Sequence, residues 1–475
     1  MKNSTPAALQ RRQHRKARHT AHRQAQRRVR RRAAAAEPSR GQAVLYELFK
    51  TIHHFFPDLF DPLRQVEDCR QQSDYTLVEI LLAAIMRFVF QQGSRNALNN
   101  KRDEKKFKQH YERLFKLRLP HLDTVHRVLC RLPDAELEPL KPTLVKTLLA
   151  KKVLPKYRLF GRWLVVAVDG TGGVSFSERH GEHCLHRTSK SGKTTYFHPV
   201  LEAKLITTSG LAISLATEWI ANPDGEYDKQ DGERKAFLRL AAQLKQQYPR
   251  LPLCLTADGL YPSQGFFEIC RQHGWAFILT VQDGNLPTVW EDVQGLLPRT
   301  PGQCQHERRY HGATVIDQTC RWLNPLEYGG HTLAWLECVE VVTSPKQDQP
   351  SHHRFVHLTH LTVTARTVRA LSHTGRLRWK IENEGFNTQK PLGYGLTHNY
   401  ARVSWQAAKN DYQCLQIGHL INQLTILSTT FQVHLQGKRT CRHLWLCMIA
   451  FLLEGHLCQH PLDMLAQHHF QIRLR

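Results

Sequence analysis

The chain has 475 residues, 41% of them hydrophobic, and carries 66 Lys and Arg against 41 Asp and Glu, a formal charge of +25. With 20 Phe, 13 Tyr and 9 Trp to bury, a wholly disordered chain is excluded. The longest apolar run, Leu444 to Leu453, falls far short of the roughly 20 residues that cross a bilayer, and the excess of positive charge points to a polyanionic partner, nucleic acid first. The 12 cysteines form no C-x-x-C pair and no apolar leader follows Met1, so reduced thiols in a cytosol of bacterial type are expected.

Residues 1–40 hold 13 Lys and Arg and a single acid, Glu37. Between Arg11 and Arg32 the only large apolar residue is Val29, so no amphipathic face exists and like charges repel. The reading is a disordered basic arm able to lie along phosphates, with Arg27, Arg28, Arg30 and Arg31 as its densest contacts; a tail of no specific role fits the same composition. The remainder keeps 53 Lys and Arg against 40 acids, so the body is basic as well.

Residues 41–158 are expected to be helical. Ala43 to Phe56 and Thr76 to Gln92 carry apolar residues at helical spacing, Ser94-Arg95-Asn96 breaks the second of these helices, and Leu122 to Leu129 reads as a short one. Short helices with polar turns suit a DNA-binding bundle, or equally a helical packing domain. At Trp163 the texture changes. Leu164 to Val168 is a continuous apolar run suited to a strand buried on both faces and ending at Asp169-Gly170. Thr195–Thr207 and Leu211–Ile220 are further strands, Asp231–Tyr248 a helix with the stripe Ala236, Phe237, Leu240, Ala241 and Leu244, and Leu251–Ala257 a strand ending at Asp258-Gly259. Gln264–His273 reads as helix and Trp275–Val281 as strand. Strands followed by alternation predict an α/β fold, a mixed sheet with helices on its faces. Pro- and Gly-rich, alternating residues 286–353 predict a β-rich insertion. Residues 354–430 resume the core, with helices at Ala365–Thr374 and Leu377–Phe386, and residues 431–475 form a helical C-terminal segment.

Three acids stand out: Asp169 and Asp258 at strand ends, and Glu382 on the helix Arg378-Trp379-Lys380-Ile381-Glu382. Adjacent strand ends can set two carboxylates side by side, and a helix on the sheet can add a third. Three such groups repel unless cations neutralise them, and hard oxygen ligands suit two Mg²⁺ or Mn²⁺ ions of the kind that cleave phosphodiesters. Each acid also has a plainer reading, since Asp-Gly after a strand is commonly a turn and a helical Glu a solvated face.

At these residues the chain resembles the DDE transposases of bacterial insertion sequences, within the RNase H-like, retroviral-integrase-type superfamily, over roughly Trp163 to Tyr400. Val-Ala-Val-Asp169-Gly, Thr-Ala-Asp258-Gly-Leu-Tyr and Arg378-Trp-Lys-Ile-Glu382 match its three acidic motifs in order, and the insertion resembles that of the subgroup with a β-rich insertion before the Glu. The resemblance implies an RNase H-like core of residues 159–285 and 354–430 and a helical DNA-binding region at 41–158. It further implies Asp169, Asp258 and Glu382 as catalytic metal ligands, with Arg378, Lys380 and Lys390 on DNA. The activity implied is divalent-metal-dependent strand cleavage and transfer at the element's ends, by a homodimer on double-stranded DNA, in the cytoplasm at the nucleoid. Two positions depart from the subgroup: Gly375 stands where a Tyr precedes the Arg, and Gln389, followed by Lys390, where a Lys follows the Glu. Glu384, two residues on, competes with Glu382 for the third place. Alternatives are a domesticated nuclease without strand transfer, or a non-catalytic basic DNA-binding protein on a decayed core.

The cluster His180, His183, Cys184 and His186 shows only half of a zinc site, and a polar DNA-facing or structural loop is the expected reading. No phosphate loop of the G-x-x-x-x-G-K-[ST] type and no G-x-S-x-G elbow is present.

Overall fold

The computed structural model describes residues 39–179, 184–220, 229–390, 393–398, 404–437, 439–457 and 471–475. It is a mixed α/β protein built on one ten-stranded sheet. The strands are β1 (Leu164–Phe176), β2 (Leu185–Thr188), β3 (Thr194–Ile206), β4 (Ala212–Trp219), β5 (Leu253–Ala257), β6 (Ala276–Thr280), β7 (Cys304–His311), β8 (Thr314–Tyr328), β9 (His331–Thr343) and β10 (Ser351–Thr359). Their order is β2-β3-β1-β5-β6-β10-β9-β8-β7, with β4 also pairing with β3. β1, β5 and β6 run parallel, and every other pairing is antiparallel.

Parallel strands need a crossover, and the two helices read from apolar stripes supply them: Lys229–Gln247 leads into β5 and Gln264–His273 into β6. Both bury the predicted face, with Ala236, Phe237, Leu240, Phe266 and Phe267 in the core. The alternation at 286–353 does form strands, but it opens with a helix, Pro287–Leu296, and its strands extend the core sheet through β10, which pairs with both β6 and β9. Buried Trp322 and Trp335 are part of that packing.

β1 departs from expectation. It does not end at Asp169 but continues antiparallel to β3 as far as Phe176, with a register shift between Gly172 and Ser175. Only the parallel partner stops, at Ala167↔Thr256. A continuous apolar run marks the doubly covered part of a strand, and the pairing outlasts the cover.

Ser94 breaks one helix only to start another. Its side chain caps Arg95–Arg102, as the Thr76 and Glu79 capping box starts Leu77–Val89. Helices from both ends of the chain pack together: Arg40–Phe55 lies on Cys441–Glu454, and Leu77–Val89 on Trp405–Leu427. A Cβ at Gly418 would come within 2.7 Å of Phe88, so the glycine sets that close crossing. Inside it, Arg87 donates to Asp411 at 2.5 Å with both side chains buried. Trp405–Leu427 also covers the sheet, where Gln423 bonds the backbone of Ala212. Among the described residues no helix is long and apolar enough to cross a membrane.

Candidate active site

Asp169 and Asp258 each lie two residues past the last parallel pair of β1 and β5, so the register brings them to one level where the parallel pairing stops. That end of a parallel sheet is where ligands bind in open α/β folds. Burial along β1 is unbroken from Leu164 to Val168 and opens at Asp169. Asp258 Oδ1 accepts the Leu260 N–H at 3.0 Å, so the plain turn reading holds for this residue alongside any other role. The turn is pinned from outside: Asn285 Nδ2 donates to the Gly259 carbonyl at 2.9 Å, and a Cβ at Gly259 would lie 2.5 Å from Asn285 Oδ1.

Glu382 arrives from far along the chain. After the helix Val368–Arg376, the backbone tightens into a 3-10 turn, Leu377–Trp379, and then widens into a π-helix, Ile381–Asn387. Such wide turns are rare and recur at functional sites. Gly385 lets this segment press on the sheet, since a Cβ there would meet the Lys204 stem at 3.2 Å. Lys204 is wholly buried between Glu202 at 3.2 Å and Gln416 Oε1 at 2.6 Å. Glu202 is the cross-strand partner of Asp169 and bonds Thr217, to which Lys141 also donates at 2.6 Å. This buried charged layer lies across the strand from Asp169. Its trace in the sequence is Glu202-Ala203-Lys204 within the apolar end of β3, Pro199 to Ile206.

Arg378 joins the separate parts. Its Nη1 lies 3.5 Å from Asp169 Oδ2 and 3.3 Å from Glu382 Oε1, while its buried Nε has no hydrogen-bond partner. The Arg-x-x-x-Glu spacing thus places both on one face of the segment. Glu384 turns elsewhere and takes Lys380 at 2.6 Å. Asp169 therefore shares a cation with Glu382, and Lys380 is engaged by the competing acid.

Burial pushes the Asp169 carboxyl up to about 7. Arg378 pulls it back, while Glu382, Asp258 and Glu233 push it further up. Glu233 was not among the acids singled out from the sequence. It sits on Lys229–Gln247, one turn before Ala236 and Phe237, where the buried stripe would continue with an apolar residue. A charged residue extending an apolar stripe was the available signal.

The departures have local causes. Gly375 is buried against His357: a Cβ would lie 2.5 to 2.9 Å from three atoms of that ring. The histidine occupies the room a side chain at 375 would need, and burial drives its pKa down to about 3. Gln389 is buried in a network with Gln416 and His419, whereas Lys390 is half-buried at the end of the segment. Of the histidine–cysteine cluster, His180 and His183 lie outside the described residues. Cys184 is buried against His198 Nε2 at 3.4 Å, and His186 lies beside Tyr196. Arg27, Arg28, Arg30 and Arg31, and the whole basic arm up to residue 38, likewise lie outside the described residues.

Among the described residues no three His, Cys, Asp or Glu side chains stand close enough together to form a ready cation cage. The donor chemistry nonetheless fits a hard divalent ion: oxygen ligands on three elements, one of them a carboxyl whose burial and acidic neighbours make a nearby cation favourable. No family model and no curated protein matches the chain.

Proposed function

We propose that the chain is a DDE-type transposase with an RNase H-like core. It would bind the ends of an insertion sequence and catalyse divalent-metal-dependent strand cleavage and strand transfer. The observation that carries this reading is the sharing of Arg378 by Asp169 and Glu382 beside the Asp258 turn, since it brings together residues that the sequence motif keeps far apart. The antiparallel β3 and β1 followed by parallel β5 and β6 support the RNase H-like assignment.

Asp169, Asp258 and Glu382 would hold two Mg²⁺ or Mn²⁺ ions. Ions of that kind activate water and stabilise the leaving oxygen of a phosphodiester. Arg378 would orient the scissile strand, because a guanidinium fork holds a phosphate through two parallel bonds. Exposed Trp379, beside that guanidinium, lies on the same rim. The net charge supplies the salt-dependent, sequence-independent part of DNA affinity. A homodimer would hold two ends at once.

The test begins with whether short inverted repeats flank the gene, and then measures cleavage of duplex carrying any such repeats, with Mg²⁺, by wild type and by Asp169→Asn. Loss of cleavage with end binding retained is expected, and full metal-dependent cleavage by the variant would refute the reading. Strand transfer from pre-cut ends separates a transposase from a nuclease of the same core. Calorimetric titration with Mn²⁺ separates both from a non-catalytic DNA-binding protein.

A further inference from the structure

The end of the sheet away from the acids holds a cavity of about 660 Å³, within the roughly 300–1,000 Å³ of small-ligand sites. It opens where β1 and β6 begin and β10 ends, with Trp163, Trp275 and His360 on its wall. Along β1 that end lies about 20 Å from Asp169, at roughly 3.3 Å per residue. The helix Gln264–His273 stops beside it at Gly274, and a Cβ at Gly274 or at Gly330 would meet nothing within 4 Å, so the rim is open.

The lining carries two kinds of chemistry. One is aromatic: Trp163, Trp275, Phe277 and His360 line the space, and exposed His360 has its ring 5.0 Å from that of Phe277. The other is cationic. The Arg162 guanidinium lies 4.7 Å from the centre of the Trp163 ring, and it is exposed and has no hydrogen-bond or ion-pair partner among the described residues. Arg271 is committed to Glu268 at 2.7 Å, and that acid also lies 4.0 Å from His331. Among the described residues no Asp or Glu lines the cavity itself. A planar donor fork without an acceptor calls for an oxyanion, and ring faces beside it call for a flat heterocycle. A nucleotide carries both.

We propose that this cavity binds one unpaired nucleotide, its base against the Trp163 and His360 rings and its phosphate on Arg162. A free nucleotide and an unpaired residue of a DNA strand present the same chemistry, and the test separates them. The inference goes beyond the acidic site, since it needs neither a divalent ion nor Asp169. A surface arginine merely resting on Trp163 would attract paired and unpaired DNA alike and would hold no base. A stacked base with its phosphate contact is worth about 10- to 100-fold in affinity.

The test uses the full chain in EDTA, as wild type, Arg162→Gln, His360→Ala and Asp169→Asn, with the melting temperature of each recorded. Fluorescence anisotropy compares a blunt duplex with the same duplex carrying a short 5′ or 3′ overhang, and saturation-transfer NMR follows free deoxyadenosine monophosphate. Wild type and Asp169→Asn are expected to prefer an overhang about tenfold or more. Arg162→Gln and His360→Ala should lose that preference while keeping blunt-duplex affinity within about twofold. If His360→Ala melts early, Arg162→Gln decides. Binding of the free nucleotide that Arg162→Gln abolishes, without any overhang preference, assigns the cavity to free nucleotide. Binding of neither probe overturns the proposal. So does an overhang preference that survives Arg162→Gln, or one that vanishes in Asp169→Asn and thereby belongs to the acidic site. Displacement of the free nucleotide by an equal concentration of inorganic phosphate would show an anion site without a base, and would overturn it as well.

Discussion

Arg378 reaches Asp169 across 209 positions of chain and lies 3.5 Å from its carboxylate. That guanidinium opposes, without cancelling, the burial that pushes the Asp169 carboxyl up to about 7. The sign of the pH effect follows. An unfolded Asp titrates near 3.9, so between about 4 and about 7 the folded state holds a proton that the unfolded state has lost. The stability this proton contributes is complete below about pH 4 and is lost as the pH rises through about 7. Without divalent ions, wild type should lose up to about 4 kcal/mol across that window relative to Asp169→Asn. Parallel stability–pH curves for the two proteins would remove the buried-acid account.

Glu382 and Glu384 should separate cleanly. Glu382→Gln should lower cleavage by at least about 1000-fold, an effect of about 4 kcal/mol on the barrier, because it removes one of the acids gathered around Arg378. Glu384→Gln should stay within about tenfold of wild type, since Glu384 is held by Lys380. The measurement is single-turnover cleavage of end DNA. Equal losses in the two variants would contradict the division of labour.

Arg378→Lys keeps the charge and loses the fork. Cleavage should fall about tenfold or more, while the slope of DNA affinity against salt should hardly change, because a single cation is retained. Wild-type turnover by the lysine variant would mean that no bidentate contact is made.

Gly375→Ala should destabilise the protein by about 1–3 kcal/mol, the usual cost of overpacking, because the His357 ring already fills the space. His357→Ala should relieve most of that cost in the double variant. Denaturant melts of the four proteins measure this coupling, and simple additivity would show that the ring is not the obstacle.

Arg87 and Asp411 tie the amino-terminal helices to Trp405–Leu427. Arg87→Met should cost about 3–5 kcal/mol by leaving Asp411 buried without its cation, whereas Arg87→Met with Asp411→Leu should lie close to wild type. Melting temperatures decide, and a harmless single variant would mean that the pair relaxes into solvent.

The local features of this chain were legible in its residues. The Leu164–Val168 run and the stripe at Ala236 to Leu244 specify elements through apolar patterning, which acts over a few residues. Asp169, Asp258 and Arg378-x-x-x-Glu382 could be singled out because the local motifs around them, an apolar run before each Asp-Gly and the Arg-to-Glu spacing, are contained in short stretches of chain. What depended on distant partners could not be read in advance. β1 runs on past Asp169 because β3 continues to pair with it, and Leu377–Phe386 coils as 3-10 and π turns against buried Lys204 rather than as a regular helix. Glu384 turns to Lys380, His357 fills the space over Gly375, and Glu233 lies against Gly170. Sequence fixes which groups lie on which face of an element. The contacts among elements, and with them the burial and charge that tune each group, arise only when the chain closes on itself.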